Sequence, residues 1–140
     1  MIHWLEPIFN SAVHDQLRRV EKGEFKPEEK HELAEWLVPA HRRVSEALRP
    51  STHKEIEKML DHLALGIGVH PPADDRLTLY IKALEYMGNG PLKNAFVLVV
   101  RTHRWPKMPL PADIIAMGDE QQRILVVLED RLAKAIAKLN

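Results

Sequence analysis

Eight histidines stand among the 140 residues, and a metal centre is the first chemistry they suggest. Two ligands on the same helix reach one ion when they lie about three or four residues apart. His3, His14, His31, His41, His53, His62, His70 and His103 contain no such pair, so no metal site is expected. Glu57, Asp61 and His62 come nearest to a carboxylate-oriented histidine. Adjacent residues on a helix point about 100° apart, which favours a solvated face or a local helix pair over a shared site. Paired carboxylates at Glu28-Glu29, Asp74-Asp75 and Glu129-Asp130 suit helix starts or a wetted face better than a general acid and base. Ser11, Ser45 and Ser51 sit in no nucleophile elbow, and there is no cysteine. Gly66-Ile67-Gly68 and Gly88-Asn89-Gly90 lack the Lys-Ser/Thr of a phosphate cradle. The expectation is a protein without catalysis, cofactor or metal.

The remaining chemistry is charge. From Pro91 to Lys107 the chain carries Lys93, Arg101, Arg104 and Lys107 with no acid, next to His103 and Trp105. Cations beside an indole can hold a single strand, the ring stacking on bases while the cations take phosphates. The competing reading has Trp105 closing the core while Arg101 and Arg104 extend outward along their apolar stems. Either way, the net charge of zero (20 Lys+Arg against 20 Asp+Glu) predicts weak, salt-sensitive DNA binding at most.

Positioning these residues falls to elements whose class the composition bounds. Hydrophobic residues make up 45% and charged residues 29%, the balance of a folded globular chain rather than a disordered one. The absence of cysteine fits a reducing cytoplasm. Glu6, Pro7, His14 and Asp15 interrupt any signal-peptide core at the start of the sequence. The longest apolar run, Ala95 to Val100, is six residues, far short of the roughly 18 to 20 a membrane span needs. A cytoplasmic protein without a membrane segment is expected.

Helical periodicity recurs along the chain, separated by Pro and Gly. The expected fold is all-α, a compact bundle of about five to seven helices with a Pro-rich elbow before a long C-terminal helix. A first helix follows Pro7 through Phe9, Val13, Leu17 and Val20, ending at Gly23. A second opens at Pro27 with Leu33, Leu37, Ala40, Val44 and Leu48 on one face; Pro39 should split or kink it. Thr52-His53-Lys54-Glu55 has capping-box spacing ahead of Ile56, Leu60, Leu63 and Ile67. Asp74 or Asp75 is expected to cap the next helix, with Leu77, Tyr80, Ile81 and Leu84 inward and Gly88-Asn89-Gly90 at its end. Pro91 should open another, running to about Arg104. Its valines favour a strand, but Leu92, Ala95, Phe96, Val99, Val100 and His103 lie three or four apart, and a lone strand would have no pairing partner.

Three prolines in Trp105 to Pro111 enforce an extended elbow, after which a helix resumes and runs almost to Asn140, dented at Gly118-Asp119. The segments expected are 1–50, a 51–118 core and a 119–140 terminal helix. In that helix Leu125, Leu128, Leu132, Ala135 and Leu139 form a seam of alternating three- and four-residue steps. Ile124, Val126, Val127 and Ile136 widen its apolar surface. Such a stripe serves either the chain's own core or a partner, including a second copy. The candidate partner surface is Ile124, Leu125, Val127, Leu128, Arg131, Leu132 and Leu139.

Taken together, residues 51 to 139 resemble small helical proteins of phage and prophage replication modules, relatives of helicase loaders and helicase-loader inhibitors. The pattern comprises Ile56 to Leu65, Arg76 to Leu84, Leu92 to Arg104 with Ala95, and a terminal helix with Arg123 and Leu125. Its most diagnostic piece is the elbow, Trp105-Pro106-x-x-Pro-Leu-Pro-Ala-Asp-Ile. The resemblance implies a non-catalytic adaptor that binds a DnaB-type hexameric replicative helicase, to load it or to block it. The reading kept beside it is a nucleic-acid-binding or regulatory helical module using residues 91–107. A helical enzyme stands behind both.

Overall fold

The computed structural model describes residues 10–104 and 106–140. The Pro7 and Phe9 of the expected first helix, and Trp105, lie outside the described residues. Among those described, six α-helices and one short 3-10 turn account for the regular structure, and the only β-type pairing is an isolated bridge between Pro50 and Gly88. The fold is all-α. They fall into two units, each with its own buried residues. The grouping is not sequential: one unit takes the described residues to Glu46 together with Ile124–Asn140, the other Ala47–Arg123.

In the first unit, α1 (Ser11–Glu21) begins where the Asn10 side chain accepts from the Val13 N–H at 3.1 Å. That bond satisfies a donor the first turn would otherwise leave open. Val13, Leu17 and Val20 are buried on its inner side. A 3-10 turn at Pro27–Glu29 leads into α2 (Lys30–Leu48), which buries Leu33, Leu37, Ala40 and Val44. Pro39 does not divide α2: it lies on the exposed side of one continuous helix. The C-terminal part of α6 (Pro111–Leu139) supplies Leu125, Leu128, Leu132, Ala135 and Leu139, all buried. Arg131 grips Glu21 with two bonds, Nε to Oε2 at 2.9 Å and a terminal nitrogen to Oε1 at 2.7 Å. The Lys138 ammonium adds a bond to the Glu21 carbonyl.

The second unit is built on α3 (His53–Ile67), α4 (Asp74–Leu84), α5 (Asn89–Thr102) and the start of α6. The expected capping box is present: Thr52 and Glu55 each accept the other's backbone N–H, at 3.1 and 3.0 Å. Ile56, Leu60, Leu63 and Ala64 of α3 join Tyr80, Leu84, Leu92, Ala95, Phe96, Val99 and Ile114 in one core. The elbow belongs to this core, because Met108 is buried in it and the Tyr80 hydroxyl donates to the Pro109 carbonyl at 2.6 Å. The run Ala95 to Val100 is helical, as its spacing requires, in a helix that ends at Thr102.

Two expected boundaries are corrected. Neither Asp74 nor Asp75 caps α4; extended Ala73 holds the N-cap position without a side-chain bond, and both acids fall in the first turn, where they still meet the positive end of the dipole. Gly88-Asn89-Gly90 opens α5 instead of closing α4, which ends at Leu84. The reason is close approach. A Cβ on Gly88 would lie 2.8 Å from the Ala47 carbonyl oxygen and the Leu48 Cα. The Asn89 N–H donates to the Arg49 carbonyl at 2.8 Å, and Ser51, buried, donates to the Asn89 side chain at 2.9 Å.

The dent expected at Gly118-Asp119 is likewise absent, since α6 runs unbroken from Pro111 to Leu139. Gly118 is there for packing: a Cβ would overlap the Met87 methyl and lie 3.0 Å from the Pro91 carbonyl oxygen and 3.2 Å from the Ala95 Cβ. Nearby, Gln122 accepts from the Gly88 N–H at 2.9 Å, and Asn94 donates to Gln121. None of the described helices is long and apolar enough to cross a membrane.

Candidate functional site

The leucine seam of α6 is an internal surface. Leu125, Leu128, Leu132 and Leu139 are buried, so in this conformation none of them faces a partner. Ile124 is half-buried, Val127 is 57% exposed, and Arg131 is occupied by Glu21. That pairing, led by the hydrogen bond from Arg131, holds the Glu21 carboxyl below the usual glutamate range against the opposing effect of burial. Of the seven residues considered as a partner surface, Val127 is the apolar one left substantially open.

The cations of the 91–107 segment are separated by the helix and elbow that carry them. Lys93, Arg101, Arg104 and Lys107 are all exposed. Lys93 and Arg101 share a face of α5, whereas Arg104 lines a hollow with Val99, Pro109 and Met117, and Lys107 a third with Met108 and Leu110. His103 lines both of the latter hollows and bonds the Lys107 carbonyl through Nε2 at 2.6 Å, bracing the start of the elbow.

The face shared by Lys93 and Arg101 is a groove of about 440 Å³ between α3 and α5. Its floor is apolar. Met59 and Leu63 come from α3, and Phe96, Val97 and Val100 from α5. Helical geometry produces it: α5 turns Leu92, Ala95, Phe96 and Val99 into the core, so Val97 and Val100, one step around, stay 47% and 44% exposed. Gly66 contributes no side chain on the α3 side, and its position faces the Val100 methyls. His62 lies on the same rim. Among the described residues neither Lys93 nor Arg101 makes an ion pair. Glu55 feels the Lys93 charge: its carboxyl is held below the usual range first by the Thr52 backbone N–H, then by the Thr52 hydroxyl, with Arg49 and Lys93 adding positive charge.

Sequence reasoning missed this groove, although its signal was there. A run of six apolar residues covers every side of a helix, and a helix lying on a core buries only part of its circumference. Other histidines pair with single acids: His53 at the start of α3 meets Glu85 at the end of α4 at 2.8 Å, and His31 meets Glu35 one turn on at 3.1 Å. Among the described residues no group of three or more His, Asp or Glu side chains is placed to hold a metal ion. Comparison with protein-family models, curated proteins and solved structures returns no match to this chain.

Proposed function

We propose that the chain is a non-catalytic adaptor of phage or prophage DNA replication that binds a DnaB-type hexameric helicase in the cytoplasm, loading it or blocking it. The observation that supports this reading is the open apolar groove between α3 and α5, with Val97 and Val100 at its centre. It lies within residues 51 to 139, the part that resembles replication-module proteins. Apolar side chains held open in a rigid helical frame, with cations at the rim, are the composition of a protein-binding surface. A nucleic-acid module draws less support, because the four cations of residues 91–107 are spread over three hollows rather than aligned along one track.

Affinity capture from a host lysate followed by mass spectrometry tests the adaptor reading. Recovery of the replicative helicase is the expected outcome. Recovery of nucleic acid with its usual contaminants, and no helicase, would overturn it. Helicase activity with and without the chain then separates loading from inhibition.

A further inference from the structure

We propose that the α3–α5 groove docks an acidic amphipathic helix of a partner protein, its apolar stripe on Val97 and Val100 and its carboxylates on Lys93 and Arg101. The inference rests on the protein-binding reading above and names the chemistry of the segment bound. Its first support is shape: two helices with a shallow apolar trough between them offer a third helix a seat for residues at helical spacing. Its second is charge. Among the described residues both flanking ionic side chains on α5 are cations without an ion pair, and no acid lines the trough. Glu55 is near Lys93, but its carboxylate already accepts from the Thr52 N–H and faces Arg49 at 3.8 Å, so positive charge prevails at that end.

The third support is spacing. Lys93 and Arg101 are separated by eight residues of α5, which places them about 12 Å apart along the axis. A helix lying along α5 meets both with an acid, two apolar residues about three and four positions on, and a second acid about seven or eight on. Nucleic acid fits the same surface poorly. Base stacking needs an open aromatic face; among the described residues Phe96 of the trough is 7% exposed with its ring in the core, which leaves the single His62 imidazole at the rim as a stacking surface.

The test is fluorescence anisotropy with a fluorescein-labelled helical peptide of that pattern, a second peptide with both acids replaced by lysine, and a labelled oligo-dT. Wild type should bind the acidic peptide at micromolar Kd and the lysine peptide about tenfold or more weaker, with affinity falling as salt rises. The double variant Lys93→Glu/Arg101→Glu, at exposed positions that leave the core intact, should reverse that preference. Val100→Asp should abolish binding of both peptides; circular dichroism confirms that each variant is folded, and the charge reversal stands as the test if Val100→Asp is not. Equal affinity for the two peptides, or an unchanged preference in the double variant, overturns the inference. So does oligo-dT binding that Val100→Asp removes, or a dimer in sedimentation that Val100→Asp dissociates, since the groove would then belong to DNA or to a second copy. Helicase binding separates the two proposals. If the helicase binds wild type and the double variant alike, the groove inference falls while the adaptor reading stands; if the acidic peptide binds and the helicase does not, the reverse holds.

Discussion

Two glycines inside helices should respond to the same substitution with opposite sign. In α3, a Cβ at Gly66 would meet the Val100 methyls at 3.6 and 3.7 Å, an ordinary van der Waals contact. Gly66→Ala therefore collects the helix-propensity gain with no steric charge, about 0.5–1 kcal/mol. In α6, Gly118→Ala collects the same gain but places its methyl 3.0 Å from the Pro91 carbonyl oxygen and 3.2 Å from the Ala95 Cβ. The Met87 methyl can swing aside, but backbone of α5 cannot without moving the helix. Overpacking of that kind costs about 1–3 kcal/mol, leaving a net loss of up to about 2.5 kcal/mol. Urea denaturation followed by circular dichroism reads both. With a slope near 1.5 kcal/mol/M, Gly66→Ala should raise the midpoint by about 0.5 M and Gly118→Ala should lower it, by up to about 1.7 M. If Gly118→Ala raised the midpoint as much as Gly66→Ala, the close approach of α5 and α6 at that residue would be refuted.

Leu132→Ala, at a fully buried seam position, should cost about 2–5 kcal/mol in thermal or urea melts, whereas Val127→Asp on the open side should leave the melt nearly unchanged. Arg131→Met should remove up to about 1 kcal/mol, the pair with Glu21 being partly exposed. Because the folded Glu21 carboxyl is lowered by Arg131, its contribution is complete above the unfolded value and is lost as pH falls through the folded one. Melts of wild type and Arg131→Met should therefore converge from about pH 5 downward. Titration of duplex DNA should show weak binding that vanishes on adding salt; sub-micromolar, sequence-specific binding at physiological salt would contradict the dispersal of the cations.

Periodicity was legible wherever one helix face meets a core. Leu33, Leu37, Ala40 and Val44, and the seam from Leu125 to Leu139, are buried as their spacing requires. The capping box was legible too, since Thr52 and Glu55 lie within one turn of each other, whereas the cap read at Asp74 or Asp75 falls one residue early, on Ala73. What spacing does not carry is which distant elements approach closely. Gly118 read as a weak point of a helix and is a contact surface for α5; Gly88 read as the end of α4 and is the place where α5 begins against the end of α2. The Glu21–Arg131 pair spans 110 positions and has no local signature. The α6 helix drew attention as a partner surface because its apolar surface is wider than one seam; the seam itself is buried, while Val126 and Val127 beside it stay 49% and 57% exposed. The exposed apolar side chains of the groove come instead from a shorter helix whose apolar run exceeds the face it buries.

Isothermal titration of the purified chain into a purified DnaB-type helicase hexamer decides whether the chain is a helicase adaptor. Saturable binding with a Kd of about 10 μM or tighter is expected, weakened about tenfold or more by Lys93→Glu/Arg101→Glu in a folded chain. Absence of heat and of co-migration at concentrations well above that value would contradict it.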